Sequence, residues 1–309
     1  SLDRELMRLI AVRFGYMRAA ARIKPERGHV RDEARKAQVI DNVREDARRE
    51  ALPEEELAAI WDRLVDESFD RISELDLTVM GDPFCVPRSF LDRILADVQA
   101  GNVALVGRTE ADVAAQIGRR ILDEGHHRVN FVIVASGPNA ASPHHEPGGR
   151  VIRAGEGVLF DIGGTMAGPD DVGYCSDITR CVHVGEPPAG FADLYSVLHD
   201  SHAAGVAAAT VGTPCEDVDA AARRVIQDAG YGEYFVHRTG HGIGVEAHEH
   251  PNIVAGNDLP LVAGHAFSVE PGIYVPDSWG ARLEDIVVAT VDGPDAMNRI
   301  DHGLAVVDG

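Results

Sequence analysis

Lysine is almost missing from this chain. Lys24 and Lys36 are the only two in 309 residues, so nearly all of its positive charge is arginine. Aromatic residues make up 6 %, which leaves the interior to aliphatic side chains and alanine. The four cysteines, Cys85, Cys175, Cys181 and Cys215, form no CxxC pair and no disulfide-rich framework. No apolar run reaches the ~18 residues that a membrane span needs, and the first residues are charged and amphipathic. Neither a signal peptide nor a membrane segment is therefore expected, and the expected location is cytoplasmic. Basic charge is also short overall. The balance is 29 Lys+Arg against 50 Asp+Glu, a net charge of −21. Such a body repels nucleic acid and anionic membranes, so neither is expected as a partner.

What is present is unevenly spread. Residues 1–76 carry 15 Lys+Arg against 18 Asp+Glu, and residues 77–309 carry 14 against 32. The asymmetry predicts two domains, 1–76 and 77–309. The first contains only Gly15 and Gly28 as glycines and reads as three helices. Leu2, Leu6, Leu9, Ile10, Met17 and Ala20 recur at helical spacing, and Pro25 with Gly28 ends that run. A second helix follows Asp32, a suitable N-cap. A third begins with Glu54, Glu55 and Glu56, whose charge complements a helix N-terminus, and its apolar face includes Leu57, Ile60, Trp61 and Leu64. Arg13, Lys24 and Arg35 lie on or beside apolar faces. They are either solvated surface charge or a basic set suited to a small dicarboxylate.

The stretches LDRELMRLIAVR, VRDEARKAQVIDNV and LP…IWDRLVDES resemble the all-helical chorismate mutase family, which includes isochorismate pyruvate lyases. The resemblance implies that Arg13, Lys24, Asp32, Arg35 and Ser68 occupy pocket positions and that the helices form an intertwined homodimer. The sequence departs from the family at Lys36, where a Glu is usual, and at Ile72, where Gln or Glu is usual; the family's first pocket arginine would precede Ser1. Electrostatic cages of this kind lose activity when donors are lost. The module is thus either an active mutase or a retained dimerisation or ligand-sensing unit.

In the second part, SFLDRILADVQAG and GRTEADVAAQIGRRILDEG predict helices, the latter with Thr109 as N-cap. VNFVIVASG predicts a buried strand, and SPHHEP a loop bearing His144 and His145, of which at most one faces a site. GEGVLFDIGG and YCSDITRCVHVG predict two paired strands carrying Asp161 and Asp177, joined by GTMAGPDDVG as a hairpin loop. Asp161 before a glycine is weak evidence by itself, but a charge inside a strand, as at Asp177, is costly unless paired or metal-bound. FADLYSVLHDSHAAGVAAATVG and CEDVDAAARRVIQDAG read as scaffolding helices, with His199 and His202 as surface or packing residues. HRTGHGIGVEAHEHP places His237, His241 and His248 on glycine-tight backbone, and FSVEPGIY and RLEDIVVAT place Glu270 and Glu284 among β-branched and aromatic neighbours. Burying two such anions without a cation costs several kcal/mol each, roughly. Two Asp, one His and two Glu form an oxygen-rich set suited to a pair of hard divalent cations, Mn²⁺ more than Zn²⁺.

These motifs are similar to those of the pita-bread metallopeptidases, and SVEPGIY with RLED to the prolidase and aminopeptidase P branch. The resemblance covers roughly residues 80–309 and implies an α+β pita-bread fold behind the helical chorismate mutase-like domain. It implies Asp161, Asp177, His241, Glu270 and Glu284 as ligands of two divalent ions, Mn²⁺ before Co²⁺ or Zn²⁺, with Asp177 and Glu284 bridging. It further implies catalytic roles for Glu270, His144, His237 and His248, and a supporting one for Arg282. The expected activity is hydrolysis of Xaa-Pro bonds in dipeptides or at peptide N-termini, with a small proline-containing peptide as partner. The Asp161–Asp177 loop is longer than usual, and the α/β domain that precedes the motifs in prolidases does not occur among these residues. Two other readings stand beside this one: a pita-bread pseudoenzyme acting as a binding module, and a bifunctional protein whose main activity is chorismate mutase.

Overall fold

The computed structural model describes residues 33–49, 52–62, 90–167 and 173–308. Its contacts divide the chain into two compact units, Ser1–Asp82 and Pro83–Gly309. In the first unit, helix α1 (Glu33–Arg49) is followed by a helical run over 54–62. Ile40, Ala47 and Ala58 are buried, and Leu57 and Trp61 are half-buried. Ile60, expected on the same apolar face, is instead 52 % exposed, because the buried stripe passes through Ala58. Arg44 donates to Glu55 and Arg48 to Glu54, exposed pairs that add little stability. Of the expected mutase-like pocket, Arg13, Lys24, Asp32 and Ser68 lie outside the described residues, and only the backbone of Arg35 is described.

The second unit opens with helices α2 (Phe90–Gln99) and α3 (Glu110–Asp123). The Thr109 side chain accepts from the Asp112 amide at 3.0 Å, the cap its sequence predicts. Strands β1 (Arg128–Ser136), β2 (Gly157–Ala167) and β3 (Gly173–Val184) then form an antiparallel meander, with β11 (Ala305–Val307) added parallel to β3. Helices α4 (Ala189–Ala208) and α5 (Cys215–Asp228) follow. A second sheet has the order β10-β9-β6-β4-β5, from β4 (Gly240–Gly242), β5 (Glu249–Ile253), β6 (Ala266–Val269), β9 (Asp285–Thr290) and β10 (Gly293–Ala296). Strands β7 (Gly272–Val275) and β8 (Trp279–Arg282) make a separate hairpin.

Strand alternation explains where charge can sit. On β2 and β3, Val158, Phe160, Ile162, Ile178 and Val182 face one way, into a core with Leu91, Ile94, Leu95, Val113, Ile117 and Ile121 of α2 and α3. The intervening residues face the other way. Leu159 and Cys181 join Leu194 and Leu198 of α4 there, leaving Asp161, Asp177 and Thr179 on that inner face. Both faces of β3 are covered, so its acid is 3 % exposed, the burial that makes a charge inside a strand costly without a partner. The second sheet packs Phe267, Val269 and Val287 against Val218 of α5. The two sheets meet where Thr179 bridges Glu284.

Candidate active site

The inner face of the first sheet and the near edge of the second bring five predicted ligands into one buried cluster. On paired β2 and β3, Asp161 lies opposite Thr179 and Asp177 opposite Gly163, so the two acids are diagonal neighbours on one face. Their strands run to Ala167 and from Gly173, so much of the expected hairpin loop is strand. His241 sits in the middle of β4, where glycine on either side is required by space. A Cβ on Gly240 would collide with the Ser268 carbonyl, and one on Gly242 with the His250 carbonyl. Glu270 follows β6 directly and Glu284 precedes β9. Ligand atoms of Asp177, His241 and Glu284 all lie within 4.8 Å of one another.

The electrostatics are those of an anionic cage. Burial first, then repulsion from Glu284, Asp161 and Glu270, pushes Asp177 well above the usual carboxylate range. Burial and the charges of Glu270 and Asp161 do the same to Glu284. Glu270 is pushed up to about 7, chiefly by burial. His241 is driven down to about 3 by burial and is therefore a neutral imidazole at pH 7. Its Nδ1 faces the Gly242 carbonyl at 3.0 Å, which fixes the proton there and leaves Nε2 as a lone pair 3.3 Å from Glu270.

Two observations test whether cations fit. Oδ1 of Asp161 and Oδ1 of Asp177 are buried without any hydrogen-bond partner. An orphaned buried carboxylate oxygen is costly, and two beside further acids call for positive charge at that point. The donor set, four carboxylates and one neutral imidazole, also suits hard divalent ions.

Around this cage runs a layer of positioning contacts that the sequence reading did not pick out. Thr179 donates to Glu284 at 2.7 Å and Ser268 to Glu270 at 3.0 Å. Each stands two residues from a predicted acid in the same strand run, the spacing that shares a face, and that was the available signal. Arg282, buried and held strongly protonated by Tyr274, Asp161 and Glu270 against the effect of burial, donates to Asp161, to the Pro143 carbonyl and to the Tyr274 hydroxyl. Tyr274 in turn lies 2.8 Å from His237 Nε2, while His237 Nδ1 faces the Arg238 carbonyl at 2.7 Å. This gives a directed chain from Arg282 through Tyr274 to a neutral His237, whose pKa burial lowers to about 4. Asp219 and Arg223 on α5 pin the His237 segment, by bonds to Thr239 and to the Phe235 and His237 carbonyls.

The remaining histidines take different places. His248 is exposed and stands edge-on to His241, ring centroids 4.2 Å apart. His144 is exposed on its loop, close enough that its charge opposes protonation of both His237 and His248. Its neighbour His145 turns the other way, to Glu110 at 2.8 Å. Glu110 is fully buried, yet it stays below the ordinary range because Ser136, His145 and Asn139 donate to it, outweighing burial. It thereby anchors the loop that carries His144. No sequence pattern singled it out, because its partners lie 26 to 35 residues away.

Among the described residues no helix is long and apolar enough to cross a membrane. Residues 86–291 match the family model described as metallopeptidase family M24, and residues 1–72 that described as chorismate mutase type II. A probable dipeptidase PepE from Mycobacterium tuberculosis is 54 % identical over 217 residues, 70 % of this chain and 56 % of that protein. An Xaa-Pro dipeptidase from Lactobacillus delbrueckii subsp. lactis is 46 % identical over 203 residues, 65 % of this chain and 54 % of its own length. The chain thus spans about half the length of these relatives. Among solved structures, dipeptidase PepE from Mycobacterium ulcerans superposes with a TM-score of 0.69 at 49 % identity, covering 78 % of this chain and 64 % of that one. Prolidase from Thermococcus sibiricus gives 0.68 at 38 %, covering 74 % and 60 %. An α+β pita-bread fold behind a chorismate mutase-like helical segment is therefore the architecture, and this chain belongs to metallopeptidase family M24.

Proposed function

We propose that the chain is a dinuclear metal-dependent peptidase cleaving Xaa-Pro bonds in dipeptides or at peptide N-termini. The observation that carries this reading is the pair of orphaned buried oxygens, Asp161 Oδ1 and Asp177 Oδ1, within the cluster of Asp177, His241 and Glu284. Asp161, Asp177, His241, Glu270 and Glu284 would hold the ions, Mn²⁺ in first place and Co²⁺ or Zn²⁺ as substitutes. Two such cations supply Lewis acidity and an activated water when bound.

The chain's own residues do the rest. Glu270, at the edge of the cage and 3.3 Å from His241, is placed to take up a proton and return it. Ser268 orients its carboxylate. His248, on the open side of His241, meets the scissile carbonyl oxygen as negative charge grows on it. His237 keeps both ring nitrogens engaged, so it reaches substrate only when its bond to Tyr274 opens; until then it sets the hydroxyl that Arg282 donates to. His144 borders the same opening. Proline fits as the residue after the cleaved bond, where its missing N–H leaves no donor to satisfy. The names of the Lactobacillus and Thermococcus relatives support that choice.

The match over residues 1–72 favours a second reading for the helical part, a dimer-forming module with a mutase-like pocket at Arg13, Lys24, Asp32, Arg35 and Ser68. A homodimer acting in the cytoplasm completes the proposal. Its test is hydrolysis of Ala-Pro beside Ala-Ala by the Mn²⁺-loaded chain, with chelator as control. Selective, chelator-sensitive cleavage of Ala-Pro supports the reading. Metal binding without cleavage of either dipeptide leaves a binding module, and turnover of chorismate assigns activity to the helical part.

A further inference from the structure

Behind the anionic cage, on the opposite side of the backbone at Glu284 and Asp285, lies a second cluster with metal-ligand chemistry. Adjacent strand residues point to opposite faces, so Glu284 meets Asp177 and His241 while Asp285 faces α4. There it meets two imidazoles, His202 from α4 and His302 from the segment before β11. His302 Nε2 lies 2.6 Å from Asp285 Oδ2, and His202 Nε2 lies 3.5 Å from the same oxygen. All three offered atoms are within 4.8 Å of one another.

The decisive feature is His202. Its side chain is 5 % exposed, and its Nε2, aimed at the shared carboxylate oxygen, has no hydrogen-bond partner. An apolar residue would fill that helix position at no polar cost, so a buried imidazole with an unmatched ring nitrogen needs a reason. The remaining contacts are those of a supported ligand set. Arg180 donates to Asp285 Oδ1 at 2.7 Å, which holds the carboxylate and turns Oδ2 towards the histidines. The two imidazole rings face each other with centroids 5.0 Å apart. His302 is 32 % exposed and leaves an entry path and room for water as a further ligand. His199, one turn earlier on α4, flanks His302 at 6.4 Å between ring centroids and adds to the histidine-rich rim.

We infer that His202, Asp285 and His302 form a third, independent site for a divalent transition-metal ion. Two imidazoles and one carboxylate oxygen select Zn²⁺, Co²⁺ or Ni²⁺ over Ca²⁺ and Mg²⁺, unlike the oxygen-rich cage on the other face. The ion ties α4, the start of β9 and the segment leading to β11 into one clasp. Because none of its three residues belongs to the cage, the inference stands whether or not the peptidase reading does.

The test is zinc content per chain after equilibrium dialysis of the full-length protein against micromolar Zn²⁺, compared with His302→Gln and His202→Asn. His302 is half-exposed, so its variant keeps the fold even if the buried His202→Asn does not. The site predicts one zinc fewer per chain in His302→Gln than in the parent, with hydrolysis by the Mn²⁺-loaded variant unchanged. With Co²⁺ in place of zinc, the parent gives paramagnetically shifted imidazole N–H resonances that each variant loses. Equal zinc content in parent and His302→Gln, or Co²⁺ spectra that do not differ, overturns the inference.

Discussion

Adding Mn²⁺ to the metal-free chain displaces protons, and the structure says from which acids. Burial and mutual repulsion raise Asp177 and Glu284 well above the carboxylate range, and burial raises Glu270 to about 7. A raised pKa means that the metal-free folded protein still holds these protons where free carboxylates have lost them. At pH 6.5 Glu270 is about three-quarters protonated, whereas His241, at about 3, holds no extra proton. A metal needs all of these carboxylates ionised. Binding at pH 6.5 therefore releases about three-quarters of a proton from Glu270, and further protons from Asp177 and Glu284 to the extent that they hold them, so affinity rises with pH there. Towards pH 8.5 Glu270 ionises unaided and the release shrinks by about three-quarters of a proton. Calorimetric titration in buffers of different ionisation enthalpy reads the number directly. Release that is absent at pH 6.5, or that does not shrink by pH 8.5, would refute the claim that the cage stores protons.

Three further outcomes follow from the packing and the hydrogen bonds. Gly240→Ala drives a methyl into the Ser268 carbonyl beside His241 and should melt well below the parent, whereas Gly256→Ala, at φ +84° with open space, should cost only about 1 kcal/mol; calorimetric melting of both separates clash from strain. Tyr274→Phe removes the hydroxyl between Arg282 and His237, so kcat for Xaa-Pro cleavage should fall ~10-fold or more while metal content stays at the parent value. Glu110→Ala strips the Ser136, Asn139 and His145 donors of a buried acceptor and should cost roughly 3 kcal/mol in urea unfolding, with a raised KM because the His144 loop loosens.

Much of this was legible in the sequence, for physical reasons particular to each residue. Asp177 stands as a charge inside a strand, where it demands a partner, and the structure buries it without a hydrogen bond to one oxygen. The glycines around His241 announced close backbone approach, and both flanking ones prove unable to take a side chain. The Thr109 cap was readable because capping is local. Long-range contacts were not. Glu110 reaches His145 across 35 residues, and Arg180 reaches Asp285 across 105, so no periodicity or spacing reveals either. His199 and His202 read as surface or packing residues because histidines on an alanine-rich helix carry no sign of what meets them; the structure sets His202 against Asp285 and His302. Ile60 shows the reverse error, an apolar residue at plausible helical spacing that the fold leaves in solvent.

The most direct test of the central claim pairs metal content with turnover in one substitution. Asp177→Asn keeps the shape of a side chain in the cage but removes its charge. The account predicts that this variant holds less Mn²⁺ than the parent and loses Xaa-Pro hydrolysis, while its melting without metal is unchanged or higher because one buried acid has gone. An Asp177→Asn chain that binds Mn²⁺ and cleaves Xaa-Pro bonds like the parent would contradict the account.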